Sequence, residues 1–160
     1  MEIIENYLSN RVFNHLKELI LSTNFSWYFM GKVAYLHEGG DDFYFNHKFY
    51  EDKEQCSELF QDIVHPIIGS LNFNYLIRAR ANLYTRKEER VQNDFHIDQP
   101  EKHKVALFSV NTCNGYTLFK DGTKYYSKEN SICIFDGQLE HASVSQTDTK
   151  RRVNININYI

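Results

Sequence analysis

The sequence contains few of the residues that cross-link a chain or interrupt its regular structure. Its 160 residues include only three cysteines, two prolines and seven glycines. An odd number of cysteines without CxxC spacing argues against a disulfide framework or a structural zinc site. We therefore predict reduced, buried thiols at Cys56, Cys113 and Cys133. The scarcity of proline and glycine excludes collagen-like and linker-like segments.

Long apolar runs and an excess of basic charge are also missing. No segment approaches the roughly 18 apolar residues of a membrane-spanning helix. The N-terminal residues lack the basic start and apolar run of a signal peptide, so we expect a cytoplasmic protein. The net charge of -3 disfavours an electrostatic nucleic-acid binder. Basic residues cluster between Arg78 and Arg90, but Glu88 and Glu89 interrupt them and favour a solvated loop of mixed charge.

Aromatic residues, in contrast, are abundant, with 12 Phe and 11 Tyr in a chain that is 42% hydrophobic. This composition and length are typical of one soluble domain with a substantial core. We expect a single domain over residues 1–160. Residues 1–73 are predicted to form supporting helices and strands, and residues 74–160 a core of β-strands.

The supporting part is predicted to contain two helices. From Ile4 to Leu21, apolar residues recur on one helical face. A second helix is predicted to begin at Asp52, which with Gln55 resembles a capping box, and to kink or end early at Pro66. Its buried stripe would begin at Cys56. The aromatic-rich stretches 25–36 and 43–50 are predicted strands.

After residue 73 the pattern changes to short strands separated by Asn-Gly and Asp-Gly turns. The predicted strands are 75–84, 91–97, 104–111, 116–120, 123–126, 131–135, 142–145 and 152–159. Many short strands favour a sandwich or barrel, with the helices covering one sheet from outside. The predicted fold class is α+β and mainly β.

Two of these strands alternate between apolar and polar residues. In the last strand, Val153, Ile155, Ile157 and Tyr159 share one face, whereas Arg152 and three asparagines share the other. The strand 75–84 alternates in the same way. Arginine and asparagine are unusual on a plain exposed face, so we interpret the polar faces as the wall of a ligand cavity; a solvent-exposed face is the alternative.

One group of residues has the chemistry of a metal site. His96 and Asp98 are two residues apart, which on a strand places both side chains on the same side. His141 follows after a turn-rich stretch. Two histidines and one carboxylate form a facial triad that leaves metal positions open. Arg152 lies beyond them, and its guanidinium matches a carboxylate in bidentate geometry.

The order H-x-D, distant His, then Arg resembles that of the 2-oxoglutarate- and iron(II)-dependent dioxygenases, over roughly residues 75–160. The stretch from Val110 to Gly122 is similar to small phage-encoded members related to prolyl 4-hydroxylases. This resemblance implies a double-stranded β-helix, or jelly roll, with N-terminal helices packed on the outer sheet. It also implies Fe(II), the cosubstrate 2-oxoglutarate and O₂, and for a viral protein the host cytoplasm as location.

The resemblance also implies a role for each matching residue. His96, Asp98 and His141 would bind Fe(II), and Arg152 would hold the far carboxylate of 2-oxoglutarate. Three further residues resemble the family's N-x-Y and R-x-N pairs that contact the cosubstrate: Asn82, Tyr84 and Asn154.

Lys150 and Arg151 compete for the role of Arg152, and only the alternation of the strand favours Arg152. Ser109 stands where some prolyl hydroxylases have a tyrosine that touches the cosubstrate. Asn158 stands where nucleic-acid demethylases have a second arginine, which disfavours that branch.

The substrate remains open at this level. A peptide, with a prolyl or other residue as target, and a small molecule are both compatible, and nucleic acid is disfavoured. Other classes are a non-catalytic β-sandwich binding module and a zinc hydrolase, since zinc accepts the same ligands. The loops 39–42 and 86–94 are predicted to flank the cavity mouth. The other histidines are interpreted as structural, His103 in an exposed turn; these are His15, His37, His47, His65 and His103.

Overall fold

The computed structural model describes residues 1–31 and 43–160. Most regular structure in these residues is antiparallel β-strand. The strands are β1 (Glu2–Glu5), β2 (Tyr28–Met30), β3 (Tyr44–Glu51), β4 (Glu54–Gln55), β5 (Leu76–Thr85), β6 (Lys104–Ser109), β7 (Tyr116–Phe119), β8 (Lys124–Tyr126), β9 (Ser131–Asp136), β10 (His141–Val144) and β11 (Arg151–Tyr159). The helices are α1 (Asn10–Leu21), α2 (Phe60–Ile63) and α3 (His65–Ile68).

Within the described residues, the strands form two antiparallel sheets. The larger has the order β1-β9-β6-β11-β5-β3-β2, with β4 paired to β3, and the smaller has the order β10-β7-β8. The predicted α+β class, mainly β, is confirmed. The predicted strands at 75–84, 104–111 and 131–135 lie in the middle of the larger sheet.

The predicted alternation of β11 is confirmed by the different surroundings of its two faces, both of which are buried. Val153, Ile155 and Ile157 are fully buried in an apolar cluster that also contains Phe13, Leu16 and Ile20 of α1. The ring centroid of Phe13 lies 6.2 Å from that of Phe108 of β6. The opposite faces of β5 and β11 carry the polar residues, so one apolar and one polar layer meet at these strands.

The prediction of a helix from Ile4 onward is wrong for residues 4–9. Ile4 belongs to β1, where it pairs with Ile132 of β9. Asn6 then takes a positive φ of 52° and turns the chain. The amide side chain of Asn130 accepts from the Leu8 amide and donates to the Leu8 carbonyl. Asn130 thus satisfies both backbone polar groups of Leu8 in the connection between β1 and α1.

The prediction of a helix beginning at Asp52 is also wrong. Asp52 and Lys53 both have positive φ, which forms a tight turn between β3 and β4, and Gln55 pairs with Tyr50. The helical part is two short helices that meet at Val64, with Pro66 in the first turn of α3. Proline is tolerated there because its missing N–H has no partner in a first turn. The helical stretch is therefore interrupted near Pro66, as predicted, but at Val64, and Pro66 begins the second helix instead of ending the first.

Burial of the cysteines was predicted correctly in two of three cases. All three thiols are free; Cys113 and Cys133 are buried, and burial raises the pKa of Cys133 to about 12. Cys56 is exposed. It follows β4, outside the apolar stripe that the misplaced helix would have given it.

The segment 91–97 does not form the predicted regular strand. It touches β10 only through isolated bridges, Gln92 with Val144 and His96 with His141. Gln, Asn and Asp at 92–94 have low β-propensity, which is consistent with a broken ladder. Residues 86–94 connect β5 to this segment as a loop.

Residues 32–42 lie outside the described residues, so the second half of the predicted strand 25–36, the loop 39–42 and His37 are not covered. In the described part of the chain, no helix combines the length and the apolar character needed to cross a membrane.

Candidate metal centre

The floor of the site is the polar face shared by β5 and β11. Their antiparallel register sets four polar pairs side by side: Arg78 with Asn158, Arg80 with Asn156, Asn82 with Asn154, and Tyr84 with Arg152. Strand alternation puts each pair on the face opposite the apolar cluster. Two short sequence segments, far apart in the chain, thereby build one continuous polar surface.

The three predicted metal ligands lie together above this floor. The bridge between His96 and His141 brings their ring centroids to 4.7 Å. The potential ligand atoms of His96, Asp98 and His141 all lie within 4.8 Å of one another. Strand parity was not the correct reason for this arrangement, because Asp98 lies in a bend beyond the single bridge of His96.

Both imidazoles are oriented by backbone carbonyl groups. Nδ1 of His96 lies 3.2 Å from the Asp94 carbonyl oxygen, and Nδ1 of His141 lies 2.9 Å from that of Leu139. A carbonyl oxygen only accepts, so Nδ1 carries the proton in each ring. Nε2 is then left with its lone pair, which is the form that binds a metal ion, and the carbonyl contact fixes the ring orientation.

Asp98 is held by donors on both of its oxygens. Arg78 donates to Oδ1 at 3.1 Å, and Asn156 and Asn158 donate to Oδ2 at 3.0 Å each. The side chain is 1% exposed. Burial alone would raise the pKa of Asp98, but His141, Arg78 and the Asn156 hydrogen bond outweigh it and hold the pKa well below its usual range. The carboxylate is therefore ionised and fixed in position.

His141 stays neutral for a related reason. Burial lowers its pKa, and this effect exceeds the opposite effect of the nearby Asp98 carboxylate. A neutral imidazole beside an ionised carboxylate is the protonation state that metal coordination requires. The donor set of two imidazoles and one carboxylate thus fits Fe(II).

Arg152 is a buried guanidinium with only neutral partners among the described residues. It is 1% exposed and donates to the Tyr116 carbonyl, to Ser143 Oγ at 3.0 Å and to Thr117 Oγ1 at 3.1 Å. Its Nε has no hydrogen-bond partner there. A buried charge without a counter-ion is costly, so this arrangement favours binding of an anion.

The remaining predicted residues surround Arg152 and the metal ligands. The Tyr84 ring centroid lies 5.8 Å from the guanidinium carbon of Arg152. Asn82 donates to Oδ1 of Asn154 at 3.0 Å, and both side chains are buried. Arg151, which alternation puts on the apolar face of β11, is exposed at the start of the strand and does not line the cavity. Lys150, the other competitor, precedes β11 and does not line the cavity.

One cavity connects the metal ligands to Arg152. Its lining residues surround about 490 Å³ of empty space, part of which is open solvent. All seven predicted site residues line it, together with residues that include Tyr44, Arg80, Thr117, Ser143 and Asn156.

Several of these residues were missed at the sequence level. Asn156 and Asn158 lie on the polar face of β11, so alternation placed them correctly, but nothing indicated Asp98 as their partner. Alternation put Arg78 and Arg80 on the polar face of the strand 75–84, as the structure has them, but the solvated loop of mixed charge that was favoured for the basic cluster is wrong for these two residues. Thr117 and Ser143 carry no local signal, since they contact Arg152 only through the smaller sheet.

His103 was wrongly predicted to lie in an exposed turn. It is 4% exposed, and its Nδ1 contacts the Glu101 carbonyl at 2.7 Å. The ring packs so closely on Gly137 that a Cβ there would lie 2.2 Å from Nε2. The glycine of this Asp-Gly turn therefore gives the imidazole its space.

Comparison with known proteins identifies the fold. No protein-family model and no curated protein sequence matches this chain. Solved structures do match. A prolyl hydroxylase from Trichoplax adhaerens, in complex with a hypoxia inducible factor peptide, has a TM-score of 0.66 at 13% identity, covering 99% of this chain and 82% of that one.

Two further structures span nearly all of this chain. The viral collagen prolyl hydroxylase of Paramecium Bursaria Chlorella virus-1, as its 2OG complex, has a TM-score of 0.57 at 13% identity, covering 99% of this chain and 94% of that one. The non-heme alpha ketoglutarate dependent epimerase of nogalamycin biosynthesis has a TM-score of 0.65 at 12% identity, covering 99% of this chain and 76% of that one. At such identities the likeness concerns the fold alone. The chain has the fold of the 2-oxoglutarate- and Fe(II)-dependent oxygenases, prolyl hydroxylases among them.

Proposed function

We propose that this protein is a non-haem Fe(II) dioxygenase that couples oxidative decarboxylation of 2-oxoglutarate to hydroxylation of a substrate. One observation carries the proposal. Two oriented imidazoles and an ionised carboxylate share a cavity with a buried guanidinium that has no carboxylate partner among the described residues. A metal triad alone is compatible with several reactions. Arg152 narrows the choice, because its buried charge favours a site that also binds an anion.

His96, Asp98 and His141 would hold Fe(II) through Nε2, a carboxylate oxygen and Nε2. Arg78, Asn156 and Asn158 restrain Asp98, because their hydrogen bonds fix the carboxylate plane before any metal binds. Preorganised ligands reduce the cost of assembling the site. When bound, Fe(II) with 2-oxoglutarate and O₂ would supply the oxidising power, giving succinate, CO₂ and hydroxylated substrate.

Arg152 would bind the far carboxylate of 2-oxoglutarate. Ser143 and Thr117 accept hydrogen bonds from its terminal nitrogens and hold them in place, and the Tyr84 ring lies beside the guanidinium. Asn82 and Asn154 form the floor between Arg152 and Asp98, where they would line the length of the cosubstrate.

The substrate we propose is a peptide, with proline as the target residue. Support comes from the prolyl hydroxylases among the matching structures, one of which holds a peptide. A small-molecule substrate is the second candidate, because an epimerase of antibiotic biosynthesis matches this chain about as well.

We extend the proposal to the architecture: a single domain over residues 1–160, folded as a double-stranded β-helix with α1 on the outer face of the larger sheet. The apolar cluster supports it, since Phe13, Leu16 and Ile20 of α1 share that cluster with Ile155 of β11.

The test begins with anaerobic addition of Fe(II) and 2-oxoglutarate to the purified protein. We expect a weak visible charge-transfer band, which Zn²⁺ in place of Fe(II) does not give. Proline-containing peptides are then screened, in air, for a gain in mass of one oxygen atom and matching succinate release.

Asp98→Ala is the matched inactive variant. A non-catalytic binding module would show neither band nor succinate. A zinc hydrolase would act without O₂ and without 2-oxoglutarate, so either result would replace the proposal.

A further inference from the structure

A second guanidinium in the cavity, that of Arg80, has no role in holding the metal or the cosubstrate. Arg80 lines the cavity from β5. It pairs with Asn156, which is next to the Asn82–Asn154 pair on the side toward Asp98. Its side chain is 19% exposed, and it makes no hydrogen bond to a described residue. Its Nε is buried without a partner among them.

Asp98 is not the hydrogen-bond partner of the Arg80 guanidinium. The nearest terminal nitrogen of Arg80 lies 3.9 Å from Asp98 Oδ1, beyond hydrogen-bond distance. Arg78 already donates to that oxygen at 3.1 Å, and Oδ2 is taken by two asparagines. Asp98 therefore has a closer counter-ion, which leaves the guanidinium of Arg80 available to a ligand.

The net charge of the cavity also favours an anionic ligand. Among the described residues, the cavity is lined by Arg80, Arg152 and one carboxylate, Asp98, which is paired with Arg78. On the proposed function, Fe(II) and 2-oxoglutarate carry equal and opposite charge, so their binding leaves the positive excess unchanged. Low-dielectric sites strongly favour neutralisation of such an excess.

We propose that the substrate carries a carboxylate that Arg80 binds beside the metal ligands. This inference rests on the proposed function and specifies its substrate class. The planar guanidinium suits a carboxylate in bidentate geometry, and its nearness to Asp98 places the bound carboxylate next to the reaction centre. Arg80 is then a residue that determines specificity, and the carboxylate belongs to a free amino acid or to an acidic residue of a peptide.

The experiment compares acids with their uncharged amides. The protein is loaded, in the absence of O₂, with Fe(II) and with saturating 2-oxoglutarate, which occupies Arg152 and so keeps the probes from binding there. Calorimetry then measures binding of two pairs: acetylproline against acetylprolinamide, and acetyl-Ala-Glu-Ala-amide against acetyl-Ala-Gln-Ala-amide. The first pair represents a small-molecule source and the second a peptide source.

We expect the acid of at least one pair to bind about tenfold or more tightly than its amide, as a buried charge-assisted contact predicts. Arg80→Gln should reduce that preference to about twofold or less. Arg80→Lys, which keeps the charge, should retain part of it. Arg86→Gln is the matched control, because Arg86 is exposed beyond the end of β5, and it should keep the full preference.

Equal binding of acid and amide by the unmodified protein would overturn the inference. A preference that survives Arg80→Gln would overturn it as well. If Arg80→Gln weakens Fe(II) binding but leaves the acid-to-amide ratio unchanged, Arg80 only assists Asp98. Absence of the visible band in the unmodified protein would instead reject the proposed function itself, so the two failures are distinguishable.

Discussion

Replacing Arg152 by methionine separates a ligand-binding arginine from a structural one. Methionine keeps a similar length and removes the charge. In the protein without ligand, the change loses hydrogen bonds to Tyr116, Ser143 and Thr117, at a net value of about 1 kcal/mol each. It also removes the cost of burying an unpaired charge, which is several kcal/mol and opposes that loss.

The unliganded variant should therefore unfold at a temperature equal to or higher than that of the unmodified protein. The affinity for 2-oxoglutarate should fall strongly, because truncating one partner of a buried charged contact costs about 2–4 kcal/mol of binding free energy. That loss corresponds to a roughly 30-fold to 1,000-fold higher Kd. The stabilisation by 2-oxoglutarate in thermal unfolding should disappear at concentrations that saturate the unmodified protein.

The assay is anaerobic titration of the Fe(II)-loaded variant with 2-oxoglutarate, followed by the visible band and by calorimetry. Arg151→Met is the matched control, since Arg151 is adjacent in sequence but exposed, and its Kd should be unchanged. A Kd within about threefold of the unmodified value for Arg152→Met, combined with a clear loss of stability, would refute the reasoning. Arg152 would then be a structural residue.

Four other substitutions test the remaining parts of the structure. Asp98→Ala removes the carboxylate ligand, so succinate release should fall to background; full turnover would remove Asp98 from the site. Asn158→Leu loses one donor to Asp98 and should weaken Fe(II) binding about 10-fold to 100-fold in a metal titration. Gly115→Ala puts a Cβ 3.1 Å from Cδ of Arg152, which should raise the 2-oxoglutarate requirement. Ile155→Ala should lower the free energy of unfolding by about 2–5 kcal/mol in denaturant titration, because Ile155 is fully buried; an unchanged value would contradict the packing of β11.

Alternation along two strands was the most informative local signal. Strand side chains must point to opposite faces, so the spacing of Val153, Ile155 and Ile157 determined which residues of β11 enter the core. The same rule selected Arg152 over Arg151 and put Asn82 and Asn154 on the cavity side, where the structure has them. The two Asp-Gly turns marked the ends of β7 and β9, and Asn114-Gly115 marked the start of β7.

Local patterns failed where contacts from distant segments decide the conformation. The periodicity from Ile4 fits a helix, yet β9 offers Ile4 a pairing partner 128 residues later in the chain. Asp52 and Gln55 imitate a capping box, although the left-handed conformations of Asp52 and Lys53 form a hairpin turn instead. A pattern in one segment contains no information about the hydrogen-bond partners that another segment provides.

The identity of the candidate ligands could be inferred from sequence, because chemistry restricts which side chains bind a metal or a carboxylate. The sequence could not show that these side chains converge on one site. The bridge between His96 and His141 and the donors that Arg78, Asn156 and Asn158 direct at Asp98 exist only once two sheets face each other. The position of Arg80 is likewise a property of the folded cavity, because only the fold brings its partly buried guanidinium beside Asp98 without a hydrogen-bond partner among the described residues.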